Sequence, residues 1–356
     1  MPPKAPANLI VRPEKLGDLV VATPVFRAFK ETFPDQPLHL LTDDRSAAVV
    51  ERDPHLDRII RLPWYGHQCS QRPSWRSTFE SVRASGPYQR AAILYPSEEG
   101  WNWILALNRV PHVAQLGGTF SALLLGHACV LRKNHVEGRH MSDLFLSVAE
   151  KLGAVTADSC PRLYVGEEER AAILARFPSL REPGKIFVHA FSVSTAPNLS
   201  PRSYFALCSH LAAGGRRVYL VGTRSELEGA GLPPPPGIST ELVGALNLRE
   251  LMAACSQADL VIGGSSGVVH LAAALGVPTL ALQCPHANHH LTWGPRGPWS
   301  KTLAVPSTLC RRMGAVTGPC QFPAPCDIAF GFSPEQIGSE AERLILSRIA
   351  GIRPNG

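Results

Sequence analysis

The most informative features of this 356-residue chain are first the ones it lacks. No stretch approaches the ~18 uninterrupted apolar residues of a membrane-spanning helix. The most apolar segment, residues 271–284, is broken by Gly276 and Pro278 and reads as helix, turn and buried strand. The first apolar run, residues 9–11, is too short for a signal-peptide core, so a cytoplasmic protein is expected. Its nine cysteines are then expected to stay mostly reduced. Cys310, Cys320 and Cys326 fall in one late stretch without the close Cys-x₂-Cys pair of a structural zinc site, so no metal is expected there. No Lys/Arg block is dense enough for a nucleic-acid arm, and nucleic acid is not an expected partner. Two nucleotide fingerprints are also missing. There is no Gly-x₄-Gly-Lys-Ser/Thr loop, and no Gly-x-Gly-x-x-Gly follows the first strand of either half. Those absences remove P-loop phosphotransfer and nicotinamide-dependent hydride transfer.

What is present describes a globular chain with room for two domains. The hydrophobic fraction is 45%, the charged fraction 18% and the net charge +6. That balance suits anionic small molecules or an anionic membrane surface. Short β-type runs alternate with amphipathic segments. Residues 8–12, 38–42, 58–62 and 90–95 read as strands, with a helix over 19–32 and a short one over 46–52. The pattern breaks around residues 158–183, where a domain boundary is placed. It resumes with strands at 185–190, 217–221, 260–262 and 279–282 and helices at 201–213, 248–256 and 267–275. Residues 334–349 read as a closing helix. Strands alternating with helices imply βαβ units and parallel sheets. The expected division is residues 1–165, residues 166–332, and a helix in 333–356 that packs back on the first domain. Two doubly wound domains in tandem are expected to face a central cleft, with strand C-termini and helix N-termini lining it.

Two loops at such positions carry chemistry. In the first, Arg12 closes a strand and Lys15, Gly17 and Asp18 lead into a helix. Gly17 permits a tight turn. Asp18 is either the N-cap of that helix or a carboxylate held at a cleft mouth as a general base. In the second, Gly264, Ser265, Ser266 and Gly267 join a strand to a helix that carries His270 one turn in. Small residues let a phosphate approach the backbone, and the helix offers free N–H groups and a positive dipole end. The plain alternative is a tight strand-helix turn, with His270 a packed residue. Cys284, His286, His289 and His290 lack a recognised metal-ligand spacing.

These residues resemble glycosyltransferase family 9, the ADP-heptose:lipopolysaccharide heptosyltransferases. The first match is Arg12, Gly17-Asp18 and Pro24. The second is Leu248-Arg249-Glu250-Leu251, then Ala258-Asp259 with the strand after it, then Ser266-Gly267, His270 and the run to Pro278, ending at Trp293-Gly294-Pro295. The resemblance implies an α/β fold of GT-B type, two Rossmann-like domains, and an inverting transfer that needs no metal or other cofactor. It implies Asp18 as the base that deprotonates the acceptor. It places the donor's diphosphate against Ser265, Ser266, Gly267 and His270, with Ser194 and Thr195 nearby, and its ribose near Glu226. Arg12, Lys15 and Gly17 would serve the acceptor or a phosphate. The expected partners are a nucleotide-sugar donor and a glycolipid or lipopolysaccharide acceptor, with peripheral contact to the inner membrane.

The chain also departs from the family. Ser265 stands where an Asp is usual, and Pro197 where a phosphate-facing Lys is usual. A lost Lys removes a charge-assisted contact worth ~1.5–3 kcal/mol, for which Lys15 or Arg202 are replacement cations. Two other readings therefore stand beside the transferase: a non-catalytic sugar-nucleotide binder, and a nucleotide-sugar epimerase of the same architecture. The acceptor is expected on the first domain, where Trp64, Tyr65, Trp75, Trp101 and Trp103 are interspersed with arginines. Aromatic faces stack on sugars and guanidinium groups pair with phosphates.

Overall fold

The structure, a computed structural model, describes residues 6–13, 15–63, 74–94, 99–130, 139–191, 199–283, 289–304 and 331–353. It divides into two compact units, Met1–Leu163 and Tyr164–Gly356.

The first unit alternates β1 (Ala7–Val11), α1 (Leu16–Thr32), β2 (Leu38–Asp43), α2 (Asp44–Ala47), β3 (Arg58–Leu62), α3 (Trp75–Ser85), β4 (Tyr88–Ile93), α4 (Glu99–Leu107), β5 (His112–Leu116), α5 (Phe120–Leu124), β6 (Ala128–Val130) and α6 (Met141–Glu150). All strands run parallel, in the order β3-β2-β1-β4-β5-β6. Every residue of β1 is buried, as a strand covered on both faces requires. Strand order reverses between β1 and β4, so the loop after β1 lies at the topological switch point. Pro24 sits inside α1 and cannot donate to the Val20 carbonyl. The Thr23 hydroxyl donates to that oxygen at 2.9 Å instead, which satisfies the freed acceptor. Helix α6 packs on α1, where the Ser142 hydroxyl donates to the Val21 carbonyl at 3.0 Å.

The second unit comprises α7 (Glu167–Arg176), β7 (Lys185–His189), α8 (Pro201–Ala213), β8 (Arg217–Leu220), α9 (Arg224–Gly229), α10 (Leu248–Cys255), β9 (Leu260–Gly263), α11 (Gly267–Ala274), β10 (Thr279–Gln283), α12 (His289–Trp293), β11 (Ser300–Ala304) and α13 (Pro334–Ala350). Its parallel sheet has the order β11-β10-β9-β7-β8, with its reversal between β7 and β9. Several residues that carried the family resemblance are structural here. Asp259 accepts the Lys185 backbone N–H at 2.7 Å and ties the start of β9 to the start of β7. Arg249 makes a two-pronged pair with Glu169, at 2.8 and 2.6 Å. Gly294 lets the chain pass close to α12, since a Cβ there would lie 2.6 Å from the His290 carbonyl.

α13 belongs to the second unit, where it packs on α8 and on β9 and β10. Its apolar face, Ile337, Ala341, Leu344 and Ile345, is buried in that unit's core. Gly338 makes the approach to α8 possible, because a Cβ there would lie 2.8 Å from His210 Nε2. Lys301–Glu340 and Arg216–Glu342 ion pairs hold the helix on the same side.

Candidate active site

At the switch point of the first sheet, Arg12 and Asp18 form an ion pair. Arg12 directly follows β1, and its side chain is buried at 2% exposure. Its guanidinium lies 5.8 Å from the Phe145 ring centre on α6. A planar cation over an aromatic face keeps its charge while covering apolar surface. Asp18 is the third residue of α1 and 20% exposed, so its carboxylate is clamped yet reachable. The N-cap position is held by Lys15, which settles the local alternative: Asp18 lies inside the helix and does not cap it. Lys15 is exposed and has φ of 65°, a conformation that costs a non-glycine residue about 1–3 kcal/mol. Gly17 follows in the first turn of α1, half-buried. A strained backbone beside a half-buried, charge-paired carboxylate at a switch point has the features of a chemical site rather than a plain helix start.

At the switch point of the second sheet, polar atoms converge. Ser266 occupies the N-cap position of α11, yet its side chain makes no capping hydrogen bond. Its Oγ is buried without a partner among the described residues. His189 ends β7, 6% exposed, with Nδ1 likewise unpartnered there. Gln283 ends β10; its Nε2 donates to the Trp293 carbonyl at 3.3 Å, while its Oε1 lacks a partner among the described residues. These atoms belong to the C-terminal edge of adjacent strands β10, β9 and β7. Buried polar atoms are nearly always paired, so three at one sheet edge call for an outside partner. Gly263 fits here because a Cβ would lie 3.0 Å from Val269 Cγ1 and 3.3 Å from the His189 carbonyl.

Burial lowers the His189 pKa below the ordinary imidazole value, opposed by the Glu226 carboxylate. A neutral ring offers one donor and one acceptor. Glu226 is the third residue of α9 and forms a capping box with Thr223. Its Oε2 accepts from the Thr223 N–H at 2.7 Å and the Thr223 hydroxyl at 2.8 Å. Gly222 has φ of 150° and passes close to this carboxylate, since a Cβ there would lie 3.2 Å from Glu226 Oε2. The turn is therefore built for glycine, and it fixes Glu226 beside β7.

Ser265 and Gly267 flank Ser266 and are half-buried, and His270 is buried in α11 at 7% exposure. Ser194, Thr195 and Pro197 lie outside the described residues. So do Trp64, Tyr65, Cys284 and His286, and Cys310, Cys320 and Cys326. Arg202 is the second residue of α8 and exposed. The aromatic and arginine-rich region of the first unit is corrected in part. Trp101 is core, 5% exposed. Arg90 stacks on Phe33 at 3.9 Å, and Arg61 pairs with Glu51, so neither cation is held ready for a phosphate. His189 and Gln283 escaped the sequence reading. The signal available for them was position: each is the last residue of a strand, His189 of β7 beside the second sheet's reversal and Gln283 of β10 one strand further on.

The known proteins that this chain resembles agree with this architecture. The sequence model of glycosyltransferase family 9 (heptosyltransferase) matches residues 116–313. Lipopolysaccharide heptosyltransferase 2 of Salmonella typhimurium is 24% identical over 292 residues, spanning 78% of this chain and 82% of its own. A glycosyl transferase of family 9 from Veillonella parvula superposes with a TM-score of 0.77 at 19% identity, covering 98% of this chain and 99% of the other. The E. coli ADP-heptose lipopolysaccharide heptosyltransferase II does so with a TM-score of 0.74 at 19% identity, covering 96% and 99%. The fold is thus the GT-B type, two parallel doubly wound domains. The family match runs over more than half of the sequence, from the last residue of β5 through α11 and β11. This chain belongs to glycosyltransferase family 9, the heptosyltransferases.

Proposed function

We propose that the chain transfers a heptosyl or closely related sugar from a nucleoside-diphosphate donor to a lipopolysaccharide-core or similar envelope glycan, with inversion and without a metal. The observation that carries the donor half is the set Ser266 Oγ, His189 Nδ1 and Gln283 Oε1, unpartnered among the described residues, at the edge where α11 begins. A diphosphate accepts hydrogen bonds from the Ser266 hydroxyl and the first N–H groups of α11, and the helix dipole favours its charge. As the sugar–phosphate bond breaks, negative charge grows on the leaving diphosphate, and the same donors stabilise it more strongly. Glu226 is positioned for a ribose hydroxyl. An ADP-heptose donor is supported by the name of the E. coli structural relative.

The acceptor half rests on Asp18. Its carboxylate takes the acceptor's hydroxyl proton as the oxygen attacks the anomeric carbon from the face opposite the leaving diphosphate. Arg12 acts as a positioning residue that holds the carboxylate. Attack opposite the leaving group gives the inverted product. Ser265 in place of the family's usual Asp leaves the donor sugar without one carboxylate contact, which is the reason a sugar related to heptose stands beside heptose in this reading.

A thermal-shift panel of ADP-, UDP-, GDP- and dTDP-sugars tests the donor, followed by product analysis with the best of them. ADP-sugars should stabilise most, and transfer should persist in excess EDTA. Loss of transfer with EDTA and recovery with magnesium would contradict the metal-free account. Nucleotide binding with no transfer to any acceptor would favour the non-catalytic binder.

A further inference from the structure

We propose that His189 supplies the positive charge that meets the donor's diphosphate, and that it takes up that charge, as a proton from solvent, when the nucleotide binds. The inference rests on the donor reading above and adds to it a residue, a charge and a proton.

Position comes first. His189 is the last residue of β7 and lies opposite Gly263 in the pairing with β9. A Cβ on Gly263 would lie 3.3 Å from His189 Cβ, so the missing side chain leaves the imidazole its place beside the loop that leads to Ser266 and α11. His189 is 6% exposed, and its Nδ1 is buried with no partner among the described residues. Ser266 Oγ, at the N-cap position of α11, is in the same condition. Buried polar atoms left without a hydrogen bond are costly, and one anion at the start of α11 would satisfy both.

Charge comes second. Residues 189–191, 263–270 and 283 at this edge include no Lys or Arg, and His189 and His270 are the side chains among them that can become cationic. His270 is buried within α11. The carboxylate whose charge acts on His189 is Glu226 of α9, while Arg224 of that helix is exposed. Lys185 and Arg217 stand at the opposite ends of β7 and β8. Tyr204 and Cys208 of α8 pack with Ile186 and Val188, the residues of β7 that alternate with His189. On the other face, Tyr219 and Cys255 are buried beside Phe187, and the charges of α7 and α10 are spent in Arg249–Glu169 and Arg176–Glu250 pairs. Burial keeps the empty site's imidazole neutral against the pull of Glu226. A diphosphate adds negative charge at the same place and tips the ring to imidazolium, whose Nδ1–H then donates to a phosphate oxygen. During transfer the imidazolium faces the charge that grows on the leaving diphosphate. Release of the nucleoside diphosphate returns the proton to solvent.

The sign of the linkage follows. Binding that takes up a proton weakens as pH rises between the free and bound pKa values, by at most about tenfold per pH unit for one proton. Calorimetry of ADP-glucose binding to the full chain, in PIPES and in Tris at neutral pH, measures the uptake. This probe is a diphosphate diester, so it brings no phosphate proton that titrates near neutrality. The heats in the two buffers should differ by an uptake approaching one proton per nucleotide. His189→Gln keeps a hydrogen-bonding side chain without the charge. It should bind at least about tenfold more weakly at neutral pH, with equal buffer-corrected and observed heats and a flat pH dependence. His127→Gln, in the first unit, should behave as the wild type, and circular dichroism should be the same for all three proteins. Wild-type binding without proton uptake would overturn the proposal and leave the donor reading standing. Uptake that persists in His189→Gln would overturn it too, and its loss in His270→Gln would then move the charge to α11. A wild type that binds no nucleotide sugar would contradict the donor reading and this proposal together.

Discussion

The buried Arg12 guanidinium and the partly exposed Asp18 carboxylate are joined across the turn between β1 and α1. One partner comes from the sheet and the other from the helix that covers it, so the pair fixes a reactive group to the rigid part of the unit. Removing one member of a fully buried pair costs about 3–5 kcal/mol, but Asp18 is 20% exposed and reaches water, so loss of Arg12 costs less, about 1–3 kcal/mol. Arg12→Met should therefore lower the stability of the protein by that order in urea unfolding. Arg12→Lys should keep most of the stability but lower turnover and shift its pH profile, since one ammonium cannot reproduce a planar guanidinium. Equal pH profiles for Arg12→Lys and the wild type would reduce Arg12 to a structural role.

Gly263 gives the second unit a comparable test. A methyl group there would press on Val269 at 3.0 Å and on the His189 carbonyl at 3.3 Å. Backbone on one side leaves little room to relax. Gly263→Ala should cost about 1–3 kcal/mol and weaken ADP binding, measured by unfolding and by calorimetry. A variant with wild-type stability and affinity would show that the β7–β9 switch point tolerates displacement.

His189 should make stability pH-dependent. Its folded pKa lies below the unfolded value of 6.5 through burial. The unfolded chain thus binds more protons between the two pKa values, and stability is complete above 6.5 and lost as pH falls toward the folded pKa. The slope cannot exceed about 1.4 kcal/mol per pH unit for one group. His127 and His290 are lowered in the same direction, so the wild-type curve sums several groups. The difference between wild type and His189→Gln, measured by unfolding from neutral to mildly acidic pH, isolates this one. A flat difference would remove His189 from the account. If the ring also serves the donor, His189→Gln should weaken ADP binding at neutral pH.

The closing helix offers a packing test. Leu344 is 1% exposed in the core shared by α13 and α8. Leu344→Ala should destabilise by about 2–5 kcal/mol in denaturant unfolding. A loss below 1 kcal/mol would mean that α13 adds little to that core.

What could be read in the sequence follows from where the pattern is strong. The strands at 58–62 and the helix at 201–213 coincide with β3 and α8, because turn residues bound them and their apolar spacing has one interpretation. The stretch from α3 to α6 was mostly missed. Helix α4 is apolar on the buried and the exposed side alike, which erases the helical period. Strand β6 has only three residues and lies at the sheet edge. The sequence gives the apolar face of α13, but its packing on α8, β9 and β10 depends on elements distant in the chain. Asp18 and Ser266 were legible as loop residues between strand and helix. The role of Arg12 as a clamp, and the unpartnered atoms of His189 and Gln283, depend on strands adjacent in space and not in sequence.

Replacement of Asp18 tests the central claim most directly. Proton removal by a positioned base contributes typically ~10²–10⁴-fold to rate. Asp18→Asn keeps the side chain's shape but removes the base, and it lies in the other unit from the atoms assigned to the donor. Turnover with the best donor and an envelope-glycan acceptor should fall at least a hundredfold, while donor affinity by calorimetry and the circular dichroism spectrum stay as in the wild type. Near-wild-type turnover in the purified, folded variant would contradict the account.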